Sequence, residues 1–236
     1  MNLFITKNNF KTDKMERIVK IKDLQMITHD VIRITLQKPD GYTFIPGQAA
    51  DISVNQEDWE DKKSCFTFTS LPADEDLEFT IKTYPSRQRV TNKLLAAQVG
   101  DEIILQEPFG DIRNQGEGIF IAGGAGITPF IAILKVLEQK GEVGNSKLIF
   151  ANKKEEDIID KKYFTNLLGQ NFINVLSGEN VKGYETGYIN SEIIKKYVTG
   201  NSDTYYLCGP PPMLDAVNET LIAVGVNENK IIKESY

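Results

Sequence analysis

The spacing of apolar residues changes near residue 115, and this change constrains the fold more than any other feature of the sequence. From residue 16 to about residue 112, apolar residues alternate in short runs such as VIRITLQ and LEFTIKTY, separated by turn sequences such as KPDGY and LPADED. Such runs are typical of antiparallel strands. Beyond residue 115, buried-strand runs such as IFIA alternate with segments of helical spacing, for example Phe130, Ile133 and Leu137.

The chain is long enough for two domains, each with its own core. It has 236 residues, of which 41% are hydrophobic, and domains of about 100 to 120 residues are common. We predict an antiparallel six-stranded β-barrel in residues 1–114, followed by an α/β domain with a parallel sheet in residues 115–236. Residues before Glu16 are polar and are expected to form a loose tail or an added edge strand.

Composition excludes several classes of function. No apolar run reaches the length of a membrane span and the N-terminus lacks the pattern of a signal peptide, so we expect a cytoplasmic protein. The two cysteines, Cys65 and Cys208, are far apart and form no Cys-x-x-Cys motif, which argues against a disulfide framework, a metal site or an iron-sulfur cluster. A net charge of −6 does not suit nucleic acid. Redox chemistry would therefore require an organic cofactor.

The junction after the IFIA strand has the features of an anion site. It runs GGAGITP, with Thr128 at the expected N-cap of a helix and Pro129 at its first position. Gly124 and Gly126 allow close approach of a ligand to the backbone, and a helix N-terminus favours a phosphate. The third glycine of the dinucleotide fingerprint is replaced by Pro129. On its own, the pattern fits an ordinary strand-to-helix turn equally well.

A second junction of the same kind occurs near the C-terminus. The strand TYYLC leads through Gly209 and three prolines into a helix with Leu214, Val217 and Leu221 at helical spacing. Ligands of open α/β sheets bind at the carboxyl ends of the strands. Rigid prolines also leave a flat apolar surface that suits a planar ring.

Several motifs in order along the chain resemble those of the ferredoxin-NADP reductase superfamily, specifically its compact flavodoxin or ferredoxin reductase type. They are FIPGQ, SCFTFTS, RVT, GDEIILQEPFG, GGAGITP, CGPPPM and the terminal KESY, and they span nearly the whole chain. The resemblance implies a flavin-binding barrel in residues 1–114, an NAD(P)-binding domain in residues 115–236, and hydride transfer from NAD(P)H to a flavin.

The flavin motif of that superfamily reads Arg-x-Tyr-Ser-x-x-Ser, and this chain has Ser64, Phe66, Thr67 and Ser70 at those positions. The resemblance implies that Phe66 flanks the flavin and that the Thr67 hydroxyl lies near flavin N5. Ser64 replaces an arginine that pairs with the cofactor's phosphates, so another cation must serve. Arg89 is the first candidate, and Lys63 and Arg87 are the others. FAD is favoured over FMN.

On the nucleotide side, the resemblance places Cys208 beside the nicotinamide ring and Glu234 near the edge where flavin and nicotinamide meet. Tyr236, the last residue, corresponds to an aromatic residue that covers the flavin in some members. Thr67, Cys208, Glu234 and Tyr236 are the predicted catalytic residues. The remaining predicted cofactor-binding residues are Ser64, Phe66, Phe68, Thr69, Ile81, Lys82, Tyr84, Arg89, Val90, Thr91, Gly124, Gly126, Ile127, Thr128, Pro129, Asn152, Lys153, Gly209, Pro210, Pro211 and Met213.

The loop FANKKEED bears on the choice of nucleotide. Asn152, Lys153 and Lys154 follow the second strand of the α/β domain, where a base would bind the 2′-phosphate of NADPH. NADPH is therefore favoured over NADH. The acidic residues that follow are assigned to the first turn of the next helix. His29 has no evident partner and receives no role, and no metal site is predicted.

Together these features predict an FAD-dependent NAD(P)H reductase that passes electrons to an external carrier such as ferredoxin or flavodoxin, or to a partner oxygenase. The chain lacks the cysteines for a fused iron-sulfur cluster. Two alternatives remain open from the sequence. One is a free-flavin or quinone reductase, and the other is a non-catalytic flavoprotein or redox-sensing subunit in which the loss of arginine at position 64 weakens cofactor binding.

Overall fold

The first part of the chain folds into an antiparallel barrel. The structure, a computed structural model, describes residues 16–84, 90–198 and 203–234. Six strands form the first sheet in the order β4-β3-β6-β1-β2-β5. Their bounds, with those of one short helix, are β1 Arg17–Thr28, β2 Val31–Gln37, β3 Ala49–Val54, β4 Ser64–Thr67, β5 Asp76–Lys82, α1 Val90–Leu95 and β6 Glu102–Leu105.

Aromatic residues close this sheet on itself. An isolated antiparallel bridge joins Phe68 to Phe79 and so connects the two edge strands, β4 and β5. The ring of Phe68 stacks on Phe44 at 4.1 Å and tilts against Phe79 at 4.8 Å. Because Phe68 and Phe79 are fully buried, the contact that closes the barrel is also part of its hydrophobic core. The predicted antiparallel barrel is confirmed.

The second part of the chain is an α/β domain with a parallel sheet in the order β10-β9-β8-β7-β11-β12. Helices cover both of its faces, as expected for a parallel sheet buried on both sides. This prediction is also confirmed. The bounds are β7 Gly118–Gly123, α2 Thr128–Lys140, β8 Lys147–Asn152, α3 Lys161–Leu168, β9 Phe172–Leu176, β10 Glu185–Thr186, α4 Ser191–Tyr197, β11 Thr204–Cys208, α5 Pro211–Ala223 and β12 Ile231–Ile232.

Three local predictions were wrong. Thr128 is the first residue of α2 rather than its N-cap, and its hydroxyl donates to the carbonyl of Ala125 at 3.0 Å. Pro129 consequently occupies the second position. Glu155–Asp157 form a short 3-10 helix of their own and do not begin α3. The sequence also gave no sign of α1 or β12, which are too short to produce a periodic pattern.

The two domains share packing across their boundary. Val31, at the start of β2, and Ile112, in the connection between the sheets, are both fully buried in the core of the second domain. The hydroxyl of Tyr206 accepts the N-H of Gln115 and donates to the carbonyl of Gly116, each at 2.9 Å. The connection from β6 to β7 is therefore held against the α/β domain.

None of the helices within the described residues is both long enough and apolar enough to cross a membrane.

Candidate functional site

A cleft of about 710 Å³ lies between the two domains. We call it the interdomain cleft. The barrel contributes the end of β4, the end of β5 and the start of α1, and the α/β domain contributes both glycine junctions. The lining residues are Cys65, Phe66, Thr67, Thr80, Ile81, Lys82, Tyr84, Thr91, Gly123, Gly124, Ala125, Gly126, Thr128, Cys208, Gly209 and Pro210.

Phe66 and Thr67 are the last two residues of β4 and stand at the rim of the barrel. Both are half-buried, and Phe66 packs against the barrel core while also lining the cleft. An aromatic ring in this position can form one wall of a planar site. The Thr67 hydroxyl beside it can donate or accept a hydrogen bond.

Two residues of the same motif do not reach the cleft with their side chains. Phe68 is a fully buried core residue of the barrel. Thr69 is also fully buried, and its hydroxyl donates to Glu78 at 2.8 Å. Their assignment as cofactor-contacting side chains is therefore corrected to a structural one, because the chain turns inward as the barrel closes.

Several other predicted cofactor-binding residues do not line the cleft. Val90 and Ile127 are buried in the two cores, and Pro129 is buried in the first turn of α2. None of the three is among the residues lining the cleft, and neither are Ser64 and Pro211. Arg89 and Tyr236, the predicted phosphate partner and flavin cover, lie outside the described residues, as does Arg87.

The two glycine junctions meet because β7 and β11 are adjacent parallel strands, with Ala122 opposite Cys208. A Cβ atom on Gly126 would lie 2.3 Å from the carbonyl oxygen of Cys208, and one on Gly123 would lie 2.7 Å from the Met213 sulfur. Only glycine allows this approach. The junctions thus form a single wall of exposed backbone at the carboxyl edge of the sheet.

Cys208 is the last residue of β11 and its thiol is largely withdrawn from solvent. Burial raises the pKa of this thiol to about 12, and the neighbouring Glu234 and Cys65 add to the shift. A thiol with this pKa is neutral at physiological pH and is a poor nucleophile. Cys208 can therefore pack against a ring but is not suited to covalent catalysis.

Glu234 reaches from the α/β domain back to the barrel. Its Oε2 accepts the N-H of Asp111 at 3.1 Å, and its Oε1 lies 3.2 Å from the position of a Cβ on Gly110. The carboxylate is close enough to Cys208 to influence the pKa of that thiol. The two predicted residues are thus brought close together, although only Cys208 is among the residues that line the interdomain cleft.

A second cavity of about 470 Å³ continues along the carboxyl edge of the parallel sheet. We call it the edge cavity. It shares Lys82, Gly123, Gly124 and Pro210 with the interdomain cleft. Its remaining lining residues are Ala151, Asn152, Lys153, Asp157, Ser177, Gly187, Tyr188, Ile189, Pro212, Met213 and Ala216. The two cavities are therefore adjacent, and together they extend from the barrel wall along the carboxyl edge of the sheet.

Sequence reasoning missed several residues of the edge cavity. Ser177 directly follows β9, and Tyr188 and Ile189 lie in the loop before α4. The Tyr188 residue is 79% exposed, which is unusual for a large aromatic residue. These residues could have been found from the sequence, because loops at the carboxyl ends of parallel strands commonly bind ligands. That rule applies to the loop after β9 as well as to the loops after β7 and β11.

Two buried polar atoms in these walls fit a ligand. Thr91 Oγ1, in the interdomain cleft, and Asn152 Nδ2, in the edge cavity, have no hydrogen-bond partner among the described residues. An unsatisfied buried polar atom is costly, and such atoms commonly serve a bound group. The donor set and the exposed glycine backbone suit a large cofactor with hydroxyl and phosphate groups, such as a flavin or nicotinamide nucleotide.

The cations near the cleft are mostly engaged. Lys82 is the one described lysine or arginine that lines the interdomain cleft, and its Nζ lies 2.6 Å from Asp30. Lys63, named as a substitute for the missing arginine, pairs with Glu16 at 2.9 Å. Its role in phosphate binding therefore requires that this exposed pair opens.

His29 has partners that its sequence context did not suggest. Its Nε2 lies 3.6 Å from Asp157 Oδ1 and 3.8 Å from Asp30 Oδ2. These three side chains have the spacing of a metal site. Because the same oxygen of Asp30 is already bound by Lys82, we assign no metal to the group.

Comparison with known proteins gives the same picture as the geometry. Residues 120–219 match the oxidoreductase NAD-binding domain family. The chain is 27% identical, over 97% of its length and 67% of the relative's, to the reductase component of propane 2-monooxygenase from Rhodococcus jostii. It is 26% identical, over 91% of its length and 76% of the relative's, to NADH-cytochrome b5 reductase 1 of Pyricularia oryzae.

The fold is shared with a solved structure. The FAD/NAD-binding domain of nitric oxide dioxygenase from Vibrio cholerae superposes with a TM-score of 0.80 at 21% identity, covering 92% of this chain and 96% of that one. The chain resembles the ferredoxin-NADP reductase superfamily and shares the fold of its solved members. It combines an FAD-binding barrel with an NAD-binding domain, and it is an NAD(P)H-dependent flavoprotein reductase. The resemblance inferred from the motifs is confirmed.

Proposed function

We propose that this chain belongs to the ferredoxin-NADP reductase superfamily and is the reductase component of an oxygenase system. It would deliver electrons from a nicotinamide nucleotide, through FAD, to a separate oxygenase protein. The observation that carries the proposal is that the interdomain cleft and the edge cavity are adjacent and share four lining residues. This arrangement allows a flavin on the barrel wall and a nucleotide on the sheet edge to meet at Cys208. Relatives named as reductase or electron transfer components of oxygenases support the choice of partner.

FAD supplies the conversion of a two-electron donor into a one-electron source, which nicotinamide cannot readily provide. The chain's own residues would bind the cofactor and orient its ring. Phe66 would flank the flavin ring, the Thr67 hydroxyl would hydrogen-bond at its edge, and the unpartnered Thr91 hydroxyl would bind a polar group of the cofactor. Cys208 would keep the meeting point apolar because its thiol stays protonated.

The nucleotide is bound by backbone and by the edge cavity. The glycine junctions offer their N-H groups to phosphate, Met213 packs beside them, and Tyr188 and Ile189 add apolar surface to the edge cavity. Asn152 contributes a buried amide with an unused donor. Glu234, hydrogen-bonded to the Asp111 N-H, would hold the C-terminal segment at the end of the cleft where the rings meet.

We further propose that NADH is used at least as well as NADPH, although the sequence favours NADPH. Lys154 is paired with Glu156 at 3.1 Å and Lys82 with Asp30 at 2.6 Å. Among the lysines that line the edge cavity, this leaves Lys153 without an ion pair within the described residues. Glu155, Glu156 and Glu179 cluster with Lys154 and Lys161 in the segments that follow β8 and β9, so acidic side chains outnumber basic ones there. These carboxylates would oppose a 2′-phosphate. A relative whose name specifies NADH supports the same choice.

The test is anaerobic reduction of the purified flavoprotein by each nucleotide. We expect flavin absorbance to bleach rapidly with NADH and no more rapidly with NADPH, and we expect the released cofactor to be FAD. Flavin that neither nucleotide bleaches would refute the reductase proposal. A much faster reaction with NADPH that is lost in Lys153→Ala would refute only the nucleotide assignment.

The partner assignment needs a separate measurement. A reductase component should turn over slowly with free flavin or quinone and rapidly with an oxygenase protein supplied as the electron acceptor. Full turnover with free flavin, without gain from any protein carrier, would instead identify a free-flavin reductase.

A further inference from the structure

A network of charged side chains connects the barrel to the α/β domain on the side of the interdomain cleft. Arg33 on β2 and Glu78 on β5 belong to the barrel, whereas Lys135 on α2 and Asp160, just before α3, belong to the α/β domain. Arg33 Nη2 donates to Asp160 Oδ2 at 2.6 Å. Lys135 Nζ lies 3.2 Å from Glu78 Oε1. We call these four residues the interdomain ion network.

The network continues within the barrel, where Arg33 and Glu78 approach each other. Arg33 Nε lies 3.6 Å from Glu78 Oε2. Each domain contributes one cation and one anion to the network: Arg33 and Glu78 from the barrel, and Lys135 and Asp160 from the α/β domain. Lys135 also donates to the backbone carbonyl of Thr69 at 2.8 Å. Removing Arg33 takes away the cation that Asp160 contacts, and removing Glu78 takes away the anion that Lys135 contacts.

These side chains are sheltered enough for their charges to matter. Their exposed fractions are 20% for Arg33, 24% for Glu78, 29% for Lys135 and 16% for Asp160. Ion pairs at this depth are screened less by salt than surface pairs, and loss of one partner is more costly. The network is therefore more than a set of solvated surface charges.

The Asp160 side chain contacts the other domain instead of capping its own helix. It stands at the N-cap of α3 but makes no capping hydrogen bond, and its backbone is left-handed, with φ of 51°. An aspartate at this position ordinarily caps its own helix. Here its carboxylate is directed to Arg33 of the other domain, and the uncommon backbone conformation accompanies that contact.

The network reaches the cleft through one further residue. Arg33 Nε donates to Thr80 Oγ1 at 3.4 Å, and Thr80 lines the interdomain cleft. The pairing of β2 with β5 places Arg33 directly opposite Thr80. A shift of the α/β domain at Asp160 would consequently move Arg33 and, through it, Thr80 in the wall of the interdomain cleft.

We propose that the interdomain ion network positions the nucleotide-binding domain against the flavin-binding barrel, with Arg33 and Asp160 as positioning residues for hydride transfer. The inference rests on the proposed flavin reduction step. Reacting atoms must approach to about 3 to 3.5 Å, and a misplacement of about 1 Å can cost roughly 100-fold in rate. A link that fixes one domain on the other therefore controls the rate without touching either ligand.

The first experiment compares Arg33→Gln and Asp160→Asn with the wild type in anaerobic stopped-flow reduction of the FAD-loaded protein by NADH. Asparagine tolerates the left-handed backbone of position 160. We expect the limiting rate of flavin bleaching to fall about tenfold in each variant, with FAD content and half-saturating NADH changed less than twofold. The double variant should be no slower than the slower single variant, because both substitutions remove the same contact between Arg33 and Asp160. Arg33→Lys should recover part of the rate.

The matched control is Lys22→Gln. Lys22 pairs with Asp76 at 2.6 Å, but both residues lie within the barrel, so its reduction rate should equal that of the wild type. A second readout needs no turnover. Backbone amides of the connection, residues 111–117, should exchange hydrogen faster in Arg33→Gln and not in Lys22→Gln.

An unchanged limiting rate in Arg33→Gln would overturn the inference. So would a loss of rate that merely follows loss of FAD or of thermal stability, since that result would assign the network to general stability. If neither nucleotide reduces the wild type, the proposed function fails instead, and the exchange measurement on the connection still decides whether the network holds the domains together.

Discussion

The carbonyl oxygen of Cys208 lies 2.3 Å from the point that a Cβ atom on Gly126 would occupy. This contact joins the loop after β7 to the end of β11, two neighbouring strands with their carboxyl ends at the same edge. The glycine is therefore required by its neighbour rather than by its own backbone conformation. The meeting of the two junctions is what makes one ligand wall from two separate motifs.

Gly126→Ala should separate the two junctions. The added methyl group cannot fit against backbone without a shift, so we expect a loss of about 1 to 3 kcal/mol in the free energy of unfolding and at least tenfold weaker NADH binding. Urea unfolding and NADH titration of the FAD-loaded protein measure these effects. Gly183→Ala is the control, because Gly183 has φ of 92° but no atom within 4 Å of its Cβ position. It should lower stability through backbone strain and leave NADH binding intact. Equal NADH affinity in Gly126→Ala and the wild type would contradict the account.

Thr91→Val should separate cofactor binding from stability. The buried Thr91 hydroxyl has no partner among the described residues, so its removal should leave the cofactor-free protein as stable as the wild type or more so. FAD affinity should fall about fivefold if the hydroxyl serves the cofactor, since one hydrogen bond contributes about 1 kcal/mol. Thermal melting without FAD and fluorescence titration with FAD measure the two effects.

Ser53→Ala provides the comparison for Thr91→Val. Ser53 also has a buried hydroxyl without a partner in the described part of the chain, but it does not line the cleft. Its substitution should leave FAD affinity unchanged. Undiminished FAD binding in Thr91→Val would remove Thr91 from the site.

Much of the fold could be predicted from the sequence because its signals are local. Alternating apolar runs indicated the barrel, and the glycine junctions indicated the carboxyl edge of the parallel sheet. Phe66 and Phe68 show where local reasoning stops. Both are aromatic and lie two residues apart on the same side, yet Phe66 stands at the rim whereas Phe68 closes the barrel against Phe79. Only the register of the edge strands separates them.

Contacts between domains were beyond sequence reasoning. Arg33 and Asp160 are 127 residues apart, and each looks like an ordinary surface charge in its own segment. Glu234 and Asp111 meet only after the whole α/β domain has folded between them. Such pairs depend on the docking of complete domains, for which neither periodicity nor a short motif carries information.

Cys208 should resist alkylation in the folded protein. Its pKa is raised from 9.0 to about 12 by burial, with contributions from Glu234 and Cys65. At pH 8 this leaves roughly 1000-fold less thiolate than an unperturbed thiol would have. We expect iodoacetamide to modify Cys208 far more slowly at pH 8 in the native protein than in urea, as followed by mass spectrometry of the peptide. Rapid native modification would show that the thiol is ionised and would reopen a nucleophilic role.

The stability of the protein should depend on pH through Glu78. Burial opposes ionisation of this carboxyl, but Lys135, Arg33 and the hydrogen bond from Thr69 outweigh it and hold its pKa below the ordinary value of 4.5. A group with a lowered pKa in the folded state stabilises the protein above the unfolded pKa, and this contribution is lost as the pH falls through the folded pKa. Wild-type stability should therefore decline below about pH 5. Glu78→Gln should be less stable at pH 7 and should show a shallower decline toward pH 3 when urea midpoints are compared.

Glu219→Gln controls for the loss of one negative charge in the Glu78 experiment. Glu219 is exposed on α5, so its substitution should preserve both the stability at pH 7 and the wild-type decline in acid. The decisive comparison is the difference between the midpoints at pH 7 and pH 3. If that difference is the same in Glu78→Gln and Glu219→Gln, the charged partners of Glu78 do not stabilise its ionised form, and the electrostatic description of the contact between the domains is wrong.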